Sequence, residues 1–102
     1  MACKVIGLIQ VKNQEAFDNY RTQVPETLKA YGGEVLGRGL VRGLLWNELN
    51  CEGFQLTVEI IFPDVQAAQG WAESREYREL LAVRSEAIRL TLFVVDLGTK
   101  PS

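Results

Sequence analysis

The chain has 102 residues, a length that holds one domain and not two. Hydrophobic residues make up 47% and charged residues 24%, which excludes global disorder. Eleven basic against thirteen acidic residues leave a net charge of -2, so no basic excess points to nucleic acid or to an anionic membrane.

The first element is the run Lys4 to Val11, β-branched and nearly apolar throughout, as expected of a central strand covered on both faces. Asn13 then offers a helix cap, and Ala16, Phe17, Tyr20, Val24, Leu28 and Tyr31 recur at three- and four-residue steps down one helical face. Pro25 falls inside that helix, where it removes a hydrogen bond and crowds the preceding turn, so a kink or a restart is expected near Val24. Gly32 and Gly33 end the segment. Glu34 to Val41 reads as a second strand, with Gly37 and Gly39 weakening it and suggesting a bulge or a close backbone approach. Arg42 to Gly53 is the least patterned stretch and reads as a loop or an irregular hairpin arm.

Alternation returns from Gln55 to Phe62, with Leu56, Val58, Ile60 and Phe62 on one face and Gln55, Thr57, Glu59 and Ile61 on the other. Asp64 caps a helix carrying Ala67, Ala68 and Trp71, and Ser74 caps a further one on which Tyr77, Leu80, Leu81, Arg84, Ala87 and Ile88 align. Leu90 to Val95 is a last apolar strand. The expected division is one domain over residues 1–98 and a short tail at 99–102.

The order β-α-β-β-α-β is the α+β, ferredoxin-like arrangement, a four-stranded antiparallel sheet with helices on one face. The opposite face is then uncovered although its strands are rich in apolar residues, and a second copy is the expected cover, giving a homodimer.

The ordered set Tyr20, Pro25, Tyr31-Gly32-Gly33, Arg38-Gly39, Phe62-Pro63, Ala67-Ala68, Trp71, Ser74, Glu76-Tyr77 and Arg84 resembles the domain-of-unknown-function 1330 family of dimeric α/β-barrel proteins. The resemblance spans roughly residues 4–96 and implies a ferredoxin-like protomer that pairs face to face with a second copy.

Histidine is absent, which removes the commonest general base, the usual haem and zinc ligand and the usual triad partner of a serine or cysteine nucleophile. Cys3 and Cys51 have no metal-ligand spacing, and the glycines form no phosphate loop, so no metal and no cofactor are expected. No signal peptide and no run of about 20 apolar residues is seen, and the expected location is cytoplasmic, with reduced thiols.

The candidate chemistry therefore rests on strand charges and aromatic residues. Glu59 is expected as a proton shuttle in a partly apolar cavity, Arg38 as an oxyanion stabiliser and Tyr77 as an orienting hydroxyl. The competing structural reading is that Arg38 and Glu59 form a buried salt bridge or bridge the dimer. Tyr20, Trp46, Trp71 and Arg84 are the expected ligand-binding residues, with core packing the competing reading for Tyr20, Trp71 and Tyr77. Two functions follow: a small-molecule-binding dimeric barrel, extending by fold analogy to a cofactor-free isomerase, cyclase or monooxygenase, or a non-catalytic structural or interaction homodimer.

Overall fold

The computed structural model describes residues 2–98, so the tail expected at 99–102 lies outside the described residues. Its strands are β1 (Cys3–Val11), β2 (Glu34–Leu40), β3 (Leu56–Phe62) and β4 (Ile88–Asp96). Its helices are α1 (Gln14–Leu28), which tightens into a 3-10 turn over Lys29–Tyr31, α2 (Val65–Ala72), α3 (Arg75–Arg78) and α4 (Leu81–Ala87). The side chain of Asn13 accepts from the Ala16 N–H, Asp64 from Ala67 and Ser74 from Tyr77, so the expected caps open α1, α2 and α3. Gly32 closes the first helical segment at φ 69°, a left-handed conformation that glycine adopts without a Cβ penalty.

The restart expected near Val24 does not occur, and α1 runs through Pro25. Pro25 and Arg21, the residue four positions earlier whose carbonyl loses its bond, both lie on the exposed side of the helix, where water is at hand for that carbonyl. The helix expected after Ser74 divides once more, at Glu79 and Leu80. β4 begins at Ile88 instead of Leu90, with no loop after α4, because the Ala87 carbonyl accepts from both Lys12 and Asn13 and ties the end of α4 to the β1–α1 corner.

The sheet order is β2-β3-β1-β4 with every pair antiparallel, as the ferredoxin-like reading requires. The helices cover one face. Cys3, Val5 and Ile9 of β1, Ile60 and Phe62 of β3 and Ile88 of β4 are buried there against Phe17, Val24, Leu28 and Trp71. The other face is open, and the single sheet does not close into a barrel. At its centre Ile6 stands opposite Phe93 and Leu8 opposite Thr91, while Lys4, Gln10 and Arg89 occupy its ends. Phe93, though a large apolar residue, is 42% exposed.

One irregularity decides where β2 aims its charge. Val35 is opposite Ile60 but Gly37 is opposite Glu59, so Leu36 is an extra residue, a β-bulge. Side chains alternate along a strand with period two, and one inserted residue therefore exchanges the faces of everything beyond it. Strict alternation from Val35 would send Arg38 to the open face. The bulge instead sets Arg38 opposite Val58, on the helix side.

Candidate functional site

Between α1 and the sheet lies an open groove of about 370 Å3, lined by Phe17, Arg21, Arg38, Leu40 and Leu56 among others. It adjoins a narrower cavity of about 40 Å3 that reaches past Tyr20, Val58 and Ile60 to Trp71. Ile9, Phe17, Arg21 and Arg38 line both, so two guanidinium groups flank the passage from groove to cavity. The cavity itself has room for a few water molecules, whereas the groove is of the size that holds a small organic ligand.

The two arginines differ in their surroundings. Arg21 binds Asp18 at 3.1 Å along α1, and its guanidinium lies 5.9 Å from the Phe17 ring centroid. Arg38 has no hydrogen-bond or ion-pair partner among the described residues. A planar guanidinium offers five donors suited to a carboxylate, and Arg38 has all of them available.

Behind the cavity wall sits a buried polar chain. The Tyr20 and Tyr77 hydroxyl oxygens are 2.7 Å apart, and Arg84 donates through Nη1 to the Tyr77 oxygen at 3.0 Å. The Arg84 guanidinium also lies 5.5 Å from the Tyr77 ring centroid. The Trp71 ring packs between Phe62 and Tyr77, at centroid distances of 5.6 and 4.4 Å, and its Nε1–H donates to Thr27 Oγ1 at 2.9 Å. Burial pushes the Tyr20 hydroxyl well above its ordinary value of 10.0, Tyr77 adds to the rise and Arg84 opposes it. The Tyr20 hydroxyl therefore keeps its proton at physiological pH.

The structure thus gathers Arg38, Tyr20, Trp71, Tyr77 and Arg84 on the helix side of the sheet. Glu59 is elsewhere. It stands opposite Ile6 on the open face, half-exposed, with Oε1 3.9 Å from Lys4 Nζ. The expectation that it shares a cavity or an ion pair with Arg38 is corrected by the bulge at Leu36, which puts the two charges on opposite faces. Trp46 is also apart: it is 85% exposed on the arm between β2 and β3 and lines no wall of the groove or cavity.

That arm is nevertheless ordered by polar contacts. The Asn47 side chain exchanges two hydrogen bonds with Cys51, Gln10 donates to the Gly53 carbonyl and Glu52 pairs with Arg89 at 2.9 Å. Phe17 and Arg21 were not among the expected site residues. Phe17 was on the apolar face of α1, and Arg21, four residues later, is its neighbour on the same flank, so helical spacing held the signal.

A four-stranded antiparallel sheet with helices on one face and a groove under its first helix defines a ferredoxin-like α+β protomer with one candidate site. The family model described as "Domain of unknown function (DUF1330)" matches residues 5–97, and the chain belongs to that family. No functionally curated protein matches the sequence.

Among solved structures, the chain is similar to a protein of unknown function from Rhodopseudomonas palustris, with a TM-score of 0.75 and 19% identity over 98% of this chain and 84% of the other. It is similar to SnoaB, a cofactor-independent oxygenase from Streptomyces nogalater, with a TM-score of 0.67 and 7% identity over 97% and 95% of the two chains. A dimeric ferredoxin-like protein of unknown function from Thermobifida fusca aligns with a TM-score of 0.65 and 12% identity over 95% and 92%. At these identities the likeness is one of fold.

Proposed function

We propose that this protein is a homodimer that binds a small apolar acid in the groove between α1 and the sheet. The observation that carries the reading is Arg38, an unpartnered guanidinium turned by a bulge to the helix side, where the passage into an apolar cavity begins. A ligand carboxylate would pair with Arg38, with Arg21 close by, while the apolar body lies against Phe17 and Leu40. Tyr20, Trp71, Tyr77 and Arg84 form the inner wall and its support.

The dimer reading draws on the open sheet face, with Phe93 at its apolar centre, and on the dimeric state of proteins with a similar fold. A catalytic extension to cofactor-free chemistry of the isomerase, cyclase or monooxygenase kind draws only on the fold shared with SnoaB. Within that extension Arg38 is the oxyanion stabiliser. Glu59 is on the far face of the sheet and takes no part in the groove.

Native mass spectrometry and calorimetric titration with 2-naphthoate test the reading together. The expected result is a dimer mass and saturable binding that weakens about tenfold in Arg38→Met, as for the loss of a charge-assisted contact. A monomer mass overturns the dimer. Absence of binding, or binding indifferent to Arg38→Met, overturns the site.

A further inference from the structure

The hydrogen atoms of the buried chain behind the cavity can be counted. A guanidinium only donates, so the Tyr77 oxygen is the acceptor of the 3.0 Å bond from Arg84. Two hydroxyl protons remain, one on each phenol, and one contact of 2.7 Å joins the phenols. One proton serves that contact and the other has no acceptor among the described residues. If Tyr20 donates to Tyr77, the spare proton is on Tyr77. That hydroxyl is enclosed: Tyr77 is 2% exposed, is packed on Trp71 and Arg84, and does not line the cavity.

If Tyr77 donates to Tyr20, the spare proton is on Tyr20, which does line the cavity. A buried hydroxyl proton without an acceptor is destabilising, because its hydration is lost and nothing replaces it. The second arrangement leaves that proton on a residue of the cavity wall, where an acceptor can enter, and in it the chain would run from Arg84 to Tyr77 to Tyr20.

We infer that Tyr20 donates its hydroxyl proton to an oxygen of the bound molecule, held in that direction by Tyr77 and Arg84. The inference rests on the groove reading above and narrows its ligand class: an apolar acid whose carboxylate meets Arg38 and whose far end carries a carbonyl or enolate oxygen. Tyr20 touches the ligand. Tyr77 and Arg84 are positioning residues, because the first spends its proton on Tyr20 and the second occupies the Tyr77 oxygen.

The test compares two probes of nearly equal shape, 4-acetylbenzoate and 4-isopropylbenzoate, by calorimetric titration of the dimeric protein. The wild type is expected to bind the ketone about fivefold more tightly, the worth of one neutral hydrogen bond. Tyr20→Phe should erase that preference and leave 4-isopropylbenzoate unchanged.

Infrared spectroscopy with a 13C-labelled acetyl carbonyl supplies a readout that packing alone does not move. The ketone stretch should lie at lower frequency in the wild type than in Tyr20→Phe. In Tyr77→Phe and Arg84→Met it should broaden toward the unbonded position, with Arg84→Lys restoring most of the shift. Should Tyr20→Phe fail to fold, the wild-type band position against Tyr77→Phe decides the matter. Equal binding of both probes by the wild type, a preference that survives in Tyr20→Phe, or a ketone band unmoved by any variant overturns the inference and leaves the groove reading standing. Binding of neither probe overturns the groove reading and this inference with it.

Discussion

The two faces of the sheet use similar residues toward different ends. On the helix side, Ile9, Ile60, Phe62 and Ile88 are all but sealed under α1 and α2, and the polar atoms among them are paired: Trp71 with Thr27, Tyr20 with Tyr77, Tyr77 with Arg84. No buried side-chain polar atom among the described residues lacks a hydrogen bond. On the open side, Phe93 and Val95 remain substantially exposed and charges sit between apolar neighbours, as where Glu59 and Lys4 flank Ile6 and Ile61. One face is finished by the chain's own helices and the other is left open. The comparison teaches that a strand's apolar content does not say which task its residues perform. The covering element does, and only the first face has one of its own.

That contrast yields graded expectations. The largest concerns the finished face: Trp71→Ala removes a ring packed on Phe62 and Tyr77 together with the hydrogen bond that Thr27 Oγ1 accepts, and should cost about 3–5 kcal/mol in urea denaturation. Phe93→Ala on the open face should cost well under half as much in the isolated protomer, and equal losses at both positions would erase the distinction.

Next comes the open face as an interface. Phe93→Asp would bury a charge in the proposed dimer and should give a monomer in sedimentation velocity while the far-ultraviolet spectrum stays that of the wild type. An unchanged dimer would move the interface elsewhere.

Alkaline pH acts on the finished face through Tyr20. Its hydroxyl is held above the ordinary 10.0 when folded, so above about pH 10 the unfolded chain releases a proton that the folded chain keeps. The unfolded state then binds fewer protons, and stability falls as pH rises, by up to about 1.4 kcal/mol per pH unit for this one group. Tyr20→Phe should flatten the slope of stability against pH above 10 relative to wild type. Cys3, whose thiol burial pushes up from 9.0, contributes a decline of the same sign in both proteins.

The smallest effects separate the charges of the two faces. Glu59→Gln should leave 2-naphthoate binding within about twofold of wild type, where Arg38→Met lowers it about tenfold, since the sheet stands between Glu59 and the groove. Deleting Leu36 removes the bulge residue yet keeps Arg38 opposite Val58, so binding should again change little. Loss of binding in that deletion would show that the bulge does more than set the face of Arg38.

Much of the fold was legible in the residues. The alternation in β3 assigned Leu56, Val58, Ile60 and Phe62 to one face correctly, and Asn13, Asp64 and Ser74 each cap where capping chemistry placed them. The glycines of β2 announced an irregularity, but its position was not readable. A bulge at Leu36 and one at Gly39 would suit the same composition, and they send Arg38 to opposite faces. The candidate site was therefore legible as a set of residue types and not as a place. Tyr20, Trp71, Tyr77 and Arg84 were singled out, while the separation of Glu59 from Arg38 and the nearness of Arg21 to the groove mouth were not. Pro25 points by its local chemistry to a kink or a restart, and the continuity of α1 through it depends on whether water can reach the carbonyl of Arg21.

The sequence by itself determined the element order, the caps, the apolar faces of β3 and α1 and membership of a family, because these depend on periodicity and on local hydrogen bonding. Tertiary structure alone decided the direction of Arg38, the pairing of Glu59 with Lys4 and the meeting of Tyr20 with Tyr77 across 57 positions of chain. The physical reason is that the first group of properties is written in neighbours within a turn or a strand repeat. The second depends on register, where a single extra residue reverses a face, and on contacts that exist only once the helices have closed over the sheet.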